Sequence, residues 1–170
     1  IYETTDWGNL MLIDGAVTVW ESLAIIEYVA EKFSEHAIWP RDVRARAEAR
    51  AVSSEMHGGF MALRQTCPMH LGKRFKTPAL SDDTKANVAR IETLWREAHA
   101  DFGAAGSYRF GTFSAADAMF APVVTRLDTY QVPVARDTRA YMDLILAHPS
   151  FVAWRTAGRA EPWRIGDYDT

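Results

Sequence analysis

With 170 residues, 48% of them hydrophobic and 24% charged, the chain has material for one sizeable core or two small ones and is too apolar for disorder. A net charge of −3 and arginines scattered along the chain give no reason to expect nucleic acid, and the apolar runs are far shorter than a membrane span. The single cysteine, Cys67, excludes an intrachain disulfide, so a cytoplasmic location without a membrane partner is expected.

Ile1 to Trp7 has a short β-like start followed by polar residues. Asp14-Gly15 is a tight-turn dipeptide between apolar Leu10 to Ile13 and Val17 to Trp20, which predicts a β-hairpin. Leu23, Ile26, Ala30 and Phe33 then recur at helical spacing, widened by Ile25 and Val29, so a helix should pack against the sheet. Glu21 and Ser22 fall where strand becomes helix. The first N–H groups of a helix lack intrahelical partners and carry the positive end of its dipole, so a ligand carboxylate can dock on the Ser22 hydroxyl and N–H. Glu21 would supply the opposite charge for an ammonium group. The plainer alternative makes Ser22 an N-cap and Glu21 a first-turn acid.

Ser34 to Arg41 contains Pro40 and no periodicity, which marks a linker between units at 1–34 and 42–165. A long helix is predicted from the N-cap Asp42 to about Gln65, with Ala45, Ala49, Val52, Met56, Phe60 and Leu63 on one face. Gly58-Gly59 should weaken it by about 2 kcal/mol relative to alanines, so close packing against the backbone is expected there. Thr66 to Leu80 is a loop or broken helix, in which Lys73, Arg74 and Lys76 read as a solvated face and Cys67 as an inert thiol. Ser81 should cap a helix with Asp82 and Asp83 in its first turn, a stripe of Val88, Ile91, Leu94, Trp95, Ala98 and Phe102, and an end at Gly103.

Ser114 and Asp117 have the spacing of a capping box, ahead of Met119 to Val124, which is apolar on every side and should form the buried centre of a bundle. Pro122 should lie near the start of that helix or kink it. Another helix should start near Asp137, break at His148-Pro149 and be followed by a last one over Phe151 to Arg159, with Trp163 beyond Pro162 free to cover the bundle or a cleft. The five histidines have no ligand spacing, so no metal is expected.

The stretch from Leu10 through Trp-Glu-Ser-Leu-Ala-Ile to Phe33 closely resembles the end of the thioredoxin-like domain of cytosolic glutathione transferases. Ile38-Trp39-Pro40, Arg44-Ala45-Arg46-Ala47, Ser54-Glu55-Met56-His57 and Phe113-Ser114-Ala115-Ala116-Asp117-Ala118 resemble bacterial members, and the likeness runs from about Gly8 onward. It implies a glutathione-transferase-like fold: a partial thioredoxin-like α/β N-terminal segment followed by an all-α helical bundle.

The resemblance also implies glutathione as co-substrate. Glu21 would meet the ammonium and Ser22 the carboxylate of its γ-glutamyl end, with Leu10 and Met11 beside the cysteinyl part. His57, Phe60, Met61 and Arg64 would face the electrophile pocket, although by residue type alone they read equally well as core and local contacts. Ser114 and Asp117 would be a structural signature without a chemical role. Leu10 stands where the family has a cis-proline, so a trans peptide is expected. The family's thiol-activating Tyr, Ser or Cys has no counterpart in the chain, so no catalytic residue is assigned.

Because the chain starts at Ile1, and because Ile1 to Trp7 looks like the family's second strand, segments are expected to be missing before Ile1 and between Trp7 and Gly8. The expected function is conjugation of glutathione to a small hydrophobic electrophile by a homodimer, or else a non-catalytic dimerisation or scaffold module. A hairpin and one helix cannot form a core alone, so they should lean on the bundle or on a partner chain, and exposed strand edges should promote association.

Overall fold

The computed structural model describes residues 2–4 and 10–162; the Trp7–Gly8 junction and Trp163 with its tail lie outside the described residues. Strand β2 (Leu10–Asp14) pairs antiparallel with β3 (Val17–Trp20), with Asp14 opposite Val17. The two loop residues are therefore Gly15 and Ala16, and Gly15 takes φ 61, which a two-residue hairpin requires of its first loop position. β1 (Tyr2–Thr4) lies on the other edge of β2, so the hairpin belongs to a three-stranded antiparallel sheet of order β1-β2-β3.

Helix α1 (Ser22–Lys32) follows without a loop and buries Ile25, while Leu23, Ile26 and Ala30 reach the bundle core. The hairpin turn is tied to its far end: Tyr28 donates to Asp14 Oδ2 at 2.7 Å, and the Lys32 ammonium pairs with the same carboxylate. The segment read as a linker docks closely. Trp39 is buried in the core, and the Ile38 carbonyl accepts from the Ala115 N–H at 2.8 Å.

The bundle consists of α2 (Val43–Gly58), α3 (Met61–Thr66), α4 (Asp82–Phe102), α5 (Ala115–Thr129), α6 (Arg136–Ala147) and α7 (Pro149–Ala160). Asp42 and Ser81 cap α2 and α4, accepting from the Ala45 and Thr84 N–H groups at 2.8 and 3.2 Å. The single helix expected from Asp42 to Gln65 is in fact two. Phe60 takes the left-handed φ 60, ψ 38 between them, and a Cβ on Gly59 would stand 2.5 Å from the Glu55 carbonyl oxygen. Gly58 faces open space, so the glycine pair serves a turn of the chain and not a close helix approach.

α5 is buried on nearly every side, as its apolar run predicts, with Pro122 two turns inside it. Trp95 of α4 meets Phe120 of α5 and Tyr141 of α6 edge-on, at ring separations of 5.5 and 4.8 Å. The capping box forms: Asp117 Oδ2 accepts from the Ser114 N–H at 2.9 Å and from its hydroxyl at 3.0 Å. The other oxygen accepts from the Tyr141 hydroxyl at 2.9 Å and the Arg109 N–H at 3.4 Å.

Burial raises the Asp117 pKa above its ordinary 3.8 even though these hydrogen bonds pull it down. A carboxyl raised on folding contributes stability that is complete below its unfolded pKa and lost as pH rises through its folded value. We therefore expect Asp117→Asn to close the gap with the parent protein as pH rises from about 4 to 7 in urea titrations. Asp117→Ala, which strands the Tyr141 hydroxyl and Ser114 N–H in the core, should cost about 3 kcal/mol near pH 4 and, by the same linkage, less as pH rises.

Candidate functional site

Hairpin register brings the residues at the ends of two strands to the start of a helix. Met11 stands opposite Trp20, and the Leu10 carbonyl accepts from the Glu21 N–H at 3.3 Å. Ser22 is the first residue of α1, and Glu21 occupies the N-cap position without a side-chain cap. The serine is thus inside the first turn and the acid just outside it, one step from the N-cap reading.

Glu21 has φ 79 and ψ 126, a conformation that costs a non-glycine residue roughly 1–3 kcal/mol. The strain turns the Glu21 side chain towards the bundle, where its Oε2 meets His57 Nε2 at 2.8 Å. Both groups stay accessible, with side chains 44% and 39% exposed. Ser22 is half-buried, and Leu10 and Trp20 beside it are exposed. The first turn of α1 has no side-chain cap, and the uncapped N–H groups of a helix start are donors suited to an anion.

A second link fixes α1 against α2. Arg50 donates to both carboxylate oxygens of Glu27, at 2.8 and 2.6 Å. Among the four residues read as an electrophile pocket, His57 meets Glu21 and Met61 is exposed. Phe60 is buried in the bundle core. Arg64 donates to the carbonyls of Met56, His57 and Gly59 at 2.8, 3.3 and 2.9 Å, so it satisfies the last turn of α2 at the helix break. The Glu21–His57 contact went unread because no local pattern joins residues so far apart in the chain.

No family model matches the chain. Its structure is similar to that of a glutathione transferase homolog from Burkholderia gl BGR1 with bound glutathione, at TM-score 0.66 and 25% identity, covering 89% of this chain and 73% of that one. It is also similar to the apo form of a theta class glutathione S-transferase from Xanthomonas axonopodis pv. citri, at TM-score 0.60 and 19% identity, covering 89% and 81% respectively. The chain has the glutathione-transferase fold. In this transferase-like architecture the sheet and α1 are the partial thioredoxin-like segment, and α2 to α7 are the helical domain.

No group of three or more His, Cys, Asp or Glu among the described residues is placed to hold a metal ion. No helix among them is long and apolar enough to cross a membrane.

Cys67 is fully buried, and burial pushes its thiol up to about 11, against the lowering effect of Arg126. Little thiolate forms at neutral pH, and access is closed as well. In the folded protein Cys67 should therefore react with an aromatic disulfide reagent at least about 100-fold more slowly than in urea, as followed by absorbance. Rapid reaction without denaturant would contradict this placement.

Proposed function

We propose that the start of α1 binds the γ-glutamyl end of glutathione, with the Ser22 hydroxyl and N–H taking its carboxylate and Glu21 its ammonium. The Leu10 and Met11 backbone would flank the cysteinyl part. The observation that carries this reading is the convergence of the four residues on an uncapped helix start beside a strained acid. The helix dipole favours the anionic group and Glu21 the cationic one, which matches the two charges of an α-amino acid head. The similar Burkholderia protein with bound glutathione supports the same ligand.

On this reading the protein works in the cytoplasm as a glutathione transferase, joining the glutathione thiol to a small hydrophobic electrophile held near His57 and Met61. Binding the two reactants side by side would supply the rate through proximity, and a hydrogen bond to the thiolate would activate the sulfur. No described residue is assigned that second task. A homodimer accompanies this reading. It is supported by exposed Trp20 and Val43, 59% and 70% accessible, and by the outer edge of β3, unpaired among the described residues.

A non-catalytic dimerisation module is the second reading, favoured by Leu10 at the position of the family's cis-proline. Calorimetric titration with glutathione should show saturable binding, weakened about 10-fold or more in Ser22→Ala through loss of a hydrogen bond to a charged group. Absence of binding at about ten millimolar would remove the ligand assignment. Binding without conjugation of an aryl halide would leave the non-catalytic reading. Light scattering should give twice the chain mass, and a monomer at micromolar concentration would reject the dimer.

A further inference from the structure

A cleft of about 400 Å³ opens between the C-terminal half of α4, the loop that leads to α5, and α6. Arg96 and His99 come from α4, Ser107 and Arg109 from the loop, and Asp137, Ala140 and Leu144 from α6. Among these described residues two guanidinium groups face one carboxylate, so the cleft is locally positive in a chain whose net charge is −3.

Arg109 sets the chemistry of the cleft. It is only 9% exposed, and a charge so far out of water is ordinarily matched by an opposite one. No carboxylate pairs with its guanidinium among the described residues. Asp137 is held by Arg96 at 3.2 Å, and Asp117 accepts from Ser114, from Tyr141 and from the Arg109 backbone N–H. What the guanidinium has instead is the Tyr141 ring at 4.1 Å and two carbonyls, that of Trp95 at 3.1 Å on Nη1 and that of Ser107 at 3.4 Å on Nη2. Of its five N–H donors, the one on the enclosed Nε and one on each Nη therefore have no acceptor among the described residues. Tethering the loop to α4 accounts for the two carbonyl bonds but not for the buried charge, since a neutral amide would make the same bonds.

The frame around Arg109 is fixed before any ligand arrives. The Tyr108 N–H donates to the Gly111 carbonyl at 3.3 Å and the Gly111 N–H to that of Tyr108 at 3.0 Å, which closes the tight turn carrying Arg109. Gly111 takes φ 84 in this turn, and a Cβ on Gly106 would collide with the Gly111 carbonyl oxygen. His99 Nδ1 lies 3.2 Å from the Tyr108 carbonyl and ties the same turn to α4. Donors held in this way lower the ordering cost of binding.

We propose that this cleft binds a small organic monocarboxylate, at a site built from other elements than the start of α1. The carboxylate takes the open Nη donors of Arg109 side by side, in the paired geometry that suits a guanidinium. Arg96, whose pair with Asp137 is about half exposed on both sides, can turn to the same anion at little cost. Ala140 and Leu144 supply an apolar wall for the rest of the ligand. One excess positive charge beside an apolar wall fits a monoanion with a short hydrocarbon tail better than it fits an inorganic anion.

The test is calorimetric titration of the whole chain with butanoate and with its neutral counterpart, butanol. One saturable butanoate site is expected, with butanol at least about 10-fold weaker. Arg109→Gln, which keeps an amide donor but removes the charge, should weaken butanoate about 10-fold or more. Ala140→Glu, which leaves the bonds of Arg109 in place and adds a carboxylate to the wall, should weaken it by about as much. Lys85→Ala, at the other end of α4, should bind as the parent does. Melting curves establish which variants are folded, and Ala140→Glu decides the matter where Arg109→Gln is not. Lack of saturable butanoate binding at about 50 mM, or equal affinity for butanol, would overturn the proposal. So would parent-like affinity in either folded variant, or saturable binding of inorganic phosphate in place of butanoate.

Discussion

The buried carboxylate of Asp117 is the point on which the helical domain closes. It is fully enclosed, yet it accepts hydrogen bonds from the start of α5, from Tyr141 on α6 and from the loop at Arg109. α5 is apolar on nearly all sides, so its first turn has no water to satisfy its N–H groups, and a side chain must do so. The Arg109 guanidinium lies 4.1 Å from the Tyr141 ring centre and donates to the Trp95 carbonyl at 3.1 Å, which places a positive charge near the buried acid. Burial pushes the Tyr141 hydroxyl up and the Arg109 guanidinium down, as removal from water does to groups of either sign.

The candidate site is seated on this frame at one remove. The Ala115 N–H, next to the capping box, donates to the Ile38 carbonyl, and Trp39 beside it enters the bundle core. That contact holds the chain between α1 and α2. Two strained residues then aim the site: Glu21 at φ 79 and Phe60 at φ 60, on the two sides of the Glu21–His57 contact. Such conformations persist only where the surroundings over-determine them. Phe60 is fixed by burial and by Arg64 on the carbonyls of the preceding turn, and Glu21 by its strand bond to Leu10 and its pair with His57.

What could be read in the sequence was what short-range rules govern. The caps at Asp42, Ser81 and Ser114, the stop at Gly103 and the stripe of α4 were all legible, because each depends on residues within a turn or two. The hairpin was legible, but its loop residues were off by one, since the apolar runs do not distinguish Asp14-Gly15 from Gly15-Ala16. The break before α3 was not legible, because no propensity places phenylalanine at positive φ and a Gly-Gly pair suggests close packing instead. Nor was the Glu21–His57 pair, or the meeting of Arg96 and Arg109 in one cleft. Those depend on tertiary contacts that leave no periodic trace.

The two kinds of polar group in this protein differ in what burial allows them to do. Asp117 is enclosed, so its partners cannot be exchanged without leaving an unsatisfied group in the core, and it is suited to holding structure. Glu21 and His57 are more than a third exposed, and a pair so exposed is worth at most about 1 kcal/mol. On the proposed reading, a ligand ammonium would take the place of His57 at a cost of no more than about fivefold in affinity, with the Glu21 carboxylate held by its strained backbone. Rigid backbone combined with a weak side-chain partner is what a site needs if it is to be preformed without being blocked.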